Sequence, residues 1–162
     1  MTDISLLRRA TPASVLAAQG VVIDTGAEFS NLKLRVRPVT DAYDDIMARA
    51  KSELVRQKRA EGLLKPRDGY ERIPQSDRVA LGNKLALEHL LIEPVELTIG
   101  GKPVDAKQFR ELAQTEEWGD LMDATWAAIE DATQQSRARV KATEGNSSPP
   151  SDTSSITPAP LG

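Results

Sequence analysis

The pair Gly100–Gly101, inside "VELTIGGKPVDAKQF", constrains this chain more tightly than any other feature. Val95, Leu97 and Ile99 alternate with Glu96 and Thr98, the period-two pattern of a half-buried strand. Adjacent glycines can both take positive φ, which a two-residue hairpin loop asks of its central residues. Lys102, Pro103 and Val104 then read as a short return strand. Asp105 follows at an N-cap position with Gln108 three residues on, which predicts a capping box. The short helix it opens turns Phe109, Leu112 and Ala113 inward. A hairpin that feeds a capped helix places the chain among mixed α+β folds.

"VVIDTG" (Val21–Gly26) and "NLKLRVRPVT" (Asn31–Thr40) predict a second hairpin. Leu32, Leu34 and Val36 give its second strand an apolar face, while Lys33, Arg35 and Arg37 give a basic one. Pro38 stops the ladder. Thr40 is the expected N-cap of a helix whose first turn gathers Asp41, Asp44 and Asp45, where the helix dipole favours negative charge. Val39, Tyr43, Ile46, Met47, Ala50 and Leu54 recur at helical spacing, and Gly62 is a natural C′ residue. A second helix starts at Ser76 or Asp77 and runs to Leu91, stopped by Pro94. Its leucines lie on more than one face, so it is expected to be the most buried helix. The closing helix carries a stripe of Trp118, Leu121, Met122, Thr125, Ile129 and Ala132, with Trp126 at the edge.

These elements predict an α+β fold, mainly α-helical, with four or so helices and two small β-hairpins. Residues 1–20, interrupted by Pro12, read as a loosely ordered N-terminal segment. Residues 21–142 form a single domain. Residues 143–162, "TEGNSSPPSDTSSITPAPLG", lack a periodic apolar face and read as a disordered tail. No apolar run approaches the roughly 20 residues that span a bilayer, and the first residues do not resemble a secretory leader.

Catalytic chemistry is not expected. The chain has no Cys and one histidine, His89, so thiolate nucleophiles and zinc sites built on Cys or paired His are excluded. His89 reads as structural, and no cofactor is expected. Glu116, Glu117, Asp120, Asp123, Glu130 and Asp131 flank the closing stripe as a solvated face rather than an acid–base pair. The double glycine sits in neither a P-loop nor a G-x-G-x-x-G spacing.

Charge is more informative. Met47–Arg72 holds eight Lys/Arg against four Asp/Glu, and Glu88–Asp131 holds eleven Asp/Glu against three Lys/Arg, although the whole chain carries only −3. Such segregation suits a charged protein partner better than nucleic acid, because aromatics are sparse and the rest of the domain is acidic. Arg49, Arg56 and Arg59 on the first helix, with Trp126 on the last, are the candidate partner-binding residues; Trp126 has core packing as its alternative role. Oligomerisation is left open.

"GAEFSNLKLRVRPVTDAYDDIM", "IPQSDRVALGNKLALEHLLIEPVELTIGGKPVD" and "EEWGDLMDATWAAIEDA", in that order, resemble the tail assembly chaperones of long-tailed bacteriophages. The resemblance spans roughly residues 20 to 140. It implies a protein that binds the tape-measure protein and keeps it soluble while tail tube protein assembles around it. It further implies action in the host cell cytoplasm and absence from the mature virion. Two competing expectations are a structural tail or head-completion protein and a small nucleic-acid-binding regulator.

Overall fold

The computed structural model describes residues 18–145. Among these residues, four helices of 20, 15, 8 and 27 residues stand against five strands of two to five residues, so the fold is α+β and mainly helical. Strands β1 (Val21–Asp24) and β2 (Lys33–Val36) pair antiparallel, from Val21 opposite Val36 to Asp24 opposite Lys33. Leu34 and Val36 are fully buried, and the basic residues take the other face, where Arg35 Nε lies 3.3 Å from Glu93 Oε1.

Glu93 belongs to a strand that the sequence conceals. Helix α1 (Asp41–Ala60) and helix α2 (Gln75–His89) lead to β3 (Leu91–Val95), which pairs with β2 and completes a three-stranded sheet in the order β1-β2-β3. The expected continuation of α2 to Leu91 is therefore corrected: Leu90 caps the helix and Leu91 opens the strand. Pro94 does not merely stop a helix. It sits within β3 opposite Leu34, on an edge strand, where proline is tolerated. The strand expected from Val95 to Ile99 is also interrupted, since Glu96 adopts φ 56 and turns the chain, while the alternation itself holds: Val95, Leu97 and Ile99 are half-buried, Glu96 and Thr98 exposed. Beyond it, β4 (Thr98–Ile99) and β5 (Lys102–Pro103) form the predicted hairpin around Gly100 and Gly101, at φ 58 and 78.

Helix α3 (Ala106–Ala113) opens with the full capping box: Gln108 N–H donates to Asp105 Oδ1 at 2.8 Å, and Asp105 N–H to Gln108 Oε1 at 3.2 Å. Helix α4 (Gly119–Gly145) lies against β1 and β2. It buries Met122, Ala124, Thr125, Ala128, Ile129, Ala132 and Thr133, whereas α2 buries three residues, so α4 and not α2 is the most buried helix. Its buried alanines, Ala124, Ala128 and Ala132, recur every fourth residue along one face, which lets the backbone approach the layer it covers. Thr133 joins α4 to the start of α1: its hydroxyl accepts from Val39 N–H at 3.0 Å and donates to the Ile129 carbonyl at 2.7 Å.

α4 continues through Gly145, so the boundary expected at 142 shifts; the rest of the proposed tail lies outside the described residues. So does most of the proposed N-terminal segment. Its last residue, Gly20, is closely packed: a Cβ there would stand 2.8 Å from the Val36 carbonyl oxygen and would overlap Ile92 Cδ1.

Candidate functional site

The four partner-binding candidates do not converge. Trp126 lies between α4 and α2, half-buried, with its indole N–H donating to Asn83 Oδ1 at 2.9 Å. Arg49 and Arg56 share the exposed face of α1, where Arg56 pairs with Glu53. That partner raises the Arg56 pKa and holds its charge. Arg59 is turned away from them and donates to the Asp68 carbonyl at 2.7 Å.

Much of the basic surface thus fastens the connector between α1 and α2. Lys58 Nζ lies 3.0 Å from Asp77 on α2, and Lys51 sits 5.2 Å from the centre of the Tyr70 ring. Gly62 ends α1 as predicted, at φ 76, with Leu63 N–H on the Lys58 carbonyl and Gly62 N–H on the Arg59 carbonyl. Those two bonds are a Schellman motif. α1 remains thinly covered: Tyr43 is its one buried residue, Ile46 and Met47 pack half-buried against the core, and Leu54 and Val55 are half-buried beyond it. Leu63, just past α1, and Val79, on α2, are 67% and 50% exposed.

A concavity lies elsewhere. A cleft of about 730 Å³ opens between the β1–β2 connection, the end of β3 and the start of α4. Phe29, Leu32, Val95, Leu97, Trp118 and Leu121 form its apolar wall, all half-buried. Leu121 packs against the core, as the closing stripe had suggested, and with Trp118 also lines this cleft. A second depression of about 450 Å³, lined by Ile99, Pro103, Val104, Leu112 and Trp118, separates the hairpin from the turn before α4. Trp118 thus stands between the two.

Sequence reasoning missed the cleft because its walls come from segments far apart in the chain. The one local signal was Trp118 in the acidic run before α4. His89 is half-buried; its carbonyl accepts from Arg37 Nη1 at 3.3 Å. Among the described residues, no group of three or more His, Cys, Asp and Glu is placed to hold a metal ion, and no helix is long and apolar enough to cross a membrane. No family model, no curated protein and no solved structure matches this chain.

Proposed function

We propose that this protein is a tail assembly chaperone of a long-tailed bacteriophage. It binds the helix-rich tape-measure protein in the host cytoplasm, keeps it soluble while tail tube protein assembles, and is left out of the virion. The observation that carries this reading is the presence of two incompletely covered apolar surfaces of opposite charge on one small domain. One is α1, where half-buried Leu54 and Val55 stand beside Arg49 and Arg56, with exposed Leu63 just past the helix end. The other is the cleft, whose half-exposed wall has carboxylates around it. Exposed apolar surface rimmed by charge is what a holder of amphipathic helices needs. The order of sequence segments supports the same reading.

Co-expression with the tape-measure protein of the same genome tests it. The tape-measure protein should move from the pellet to the soluble fraction and co-purify with this chain. If it stays equally insoluble with and without the chain, the reading fails. Recovery of the chain in purified virions would instead make it a structural tail or head-completion protein.

A further inference from the structure

We infer that the cleft between the β1–β2 connection and the start of α4 is the seat of a cationic amphipathic helix from a partner chain. The inference deepens the chaperone reading and rests on it only for the partner's identity.

The wall supplies the first argument. Phe29, Leu32, Val95, Leu97, Trp118 and Leu121 are all half-buried, Leu32, Leu97 and Leu121 with the core behind them, so the cleft keeps an apolar lining that is partly open to water. Covering such surface is favourable in proportion to the area removed from water. The volume of about 730 Å³ admits a few side chains but not a helix some 10 Å across. A helix would therefore lie over the mouth and insert residues at i, i+3, i+4 and i+7.

The rim supplies the sign. Asp24 and Glu28 stand on one side, Glu117 and Asp120 on the other, with Glu96 beside them; all five are exposed. Lys33 is the one cation lining the cleft. Among the described residues, no ion pair of the chain engages any of the five carboxylates. An apolar strip with carboxylates on both flanks complements a helix whose apolar stripe is bordered by Lys or Arg. An anionic helix would meet like charge on both sides.

The shape is set before any ligand arrives. Ser30, Asn31 and Glu96, at φ 57, 55 and 56, are the non-glycine residues with positive φ among those described, and all three line this cleft. A backbone so constrained has few alternatives, and preorganisation lowers the ordering cost of binding.

The test uses the full chain and a synthetic Leu/Lys amphipathic peptide of about 18 residues, long enough to form a helix. A Leu/Glu peptide of the same pattern and a scrambled Leu/Lys peptide are the controls. Calorimetry and the emission of Trp118 in the cleft wall report binding. The Leu/Lys peptide should bind one to one, less tightly at high salt, and the controls at least about tenfold more weakly. Glu28→Lys combined with Glu117→Lys, both at exposed positions, should weaken binding by about tenfold without moving the melting temperature.

Equal binding of the Leu/Glu or the scrambled peptide, no saturable binding, or indifference to the double reversal would overturn the proposal. Self-association abolished by the same reversal would overturn it too, by giving the cleft to α1 of a second copy. The co-expression assay separates the two claims. If the tape-measure protein is kept soluble by the wild type and by the double variant alike, the cleft proposal fails and the chaperone reading stands. If the peptide binds in the cleft while the tape-measure protein remains insoluble, the chaperone reading fails and the cleft stands.

Discussion

The indole N–H of Trp126 donates to Oδ1 of Asn83 at 2.9 Å, tying the closing helix to α2. Gly82, the neighbour of Asn83, lies beside the ring: a Cβ there would meet Trp126 Cζ2 at 4.0 Å, an ordinary van der Waals contact. The polar end of the tryptophan is thus committed inside the domain, and its ring packs on the edge of the core.

Trp126→Ala should therefore lower stability by about 2 kcal/mol or more, since packing and a hydrogen bond are lost together. Trp126→Phe, which keeps most of the ring, should cost about 1 kcal/mol. Urea unfolding of both variants, and of Asn83→Ala in a double-mutant cycle, checks this. A tryptophan that acts only at a partner interface would leave all of these midpoints unchanged.

Tyr43 is buried, and its hydroxyl has no hydrogen-bond partner. Burial, with a smaller contribution from Asp44, raises its pKa above the ordinary 10.0. A neutral phenol held in the folded state keeps its full contribution below pH 10, and this is lost as pH rises past that value. Lys58, raised above 10.5 mainly by its hydrogen bond to Asp77, loses stability in the same direction. The unfolding free energy should be level up to about pH 9 and fall above it. Tyr43→Phe should be neutral or stabilising by up to about 1 kcal/mol and should flatten that fall. A clear destabilisation would mean that the hydroxyl has a partner.

Arg110 on α3 donates from Nε to the Leu87 carbonyl at 2.7 Å and from Nη2 to the Leu91 carbonyl at 2.9 Å. Leu87 offers one of the carbonyls that a helix end leaves without a partner, and Leu91 begins β3. Arg110→Met should cost about 2 kcal/mol, because two charge-assisted bonds to partly buried carbonyls disappear. Arg110→Lys should restore less than half, for an ammonium does not reproduce the two directed donors. Full rescue by lysine in thermal unfolding would show that charge alone matters.

Gly20 and Gly62 both have positive φ, at 70 and 76, yet their surroundings differ. A Cβ at Gly62 meets nothing within 4 Å, whereas at Gly20 it would press on the Val36 backbone. Gly62→Ala should cost about 1 kcal/mol, from conformation alone. Gly20→Ala should cost about 3 kcal/mol or more, since β2 must shift. Comparable melting temperatures for the two variants would mean that Gly20 is not held against the sheet.

Asp105→Ala should cost about 1 kcal/mol and fray the eight-residue α3, as the Gln108 amide loses its acceptor. Amide exchange at Gln108 is the direct readout, and unchanged protection there would contradict the cap.

The features that the sequence alone determined are those whose chemistry closes within a few residues. The Gly100–Gly101 turn, the Asp105–Gln108 box and the Gly62 stop each need partners no more than five positions away. What the tertiary structure decided depends on distant partners. Leu87, Leu90 and Leu91 keep helical spacing and residues 90–92 would equally suit a short strand; pairing of Leu91 with Val36 made this end a strand. Arg110 looks like any solvated arginine until α3 brings it to the end of α2. The same holds for the cleft: Leu32, Leu97 and Leu121 carry the alternation or periodicity of core residues and do pack against the core, and only the meeting of the β1–β2 connection, β3 and α4 gives them a second side on a cleft. Local pattern sets which side of an element is apolar; how completely that side is covered is decided by what the rest of the chain lays against it.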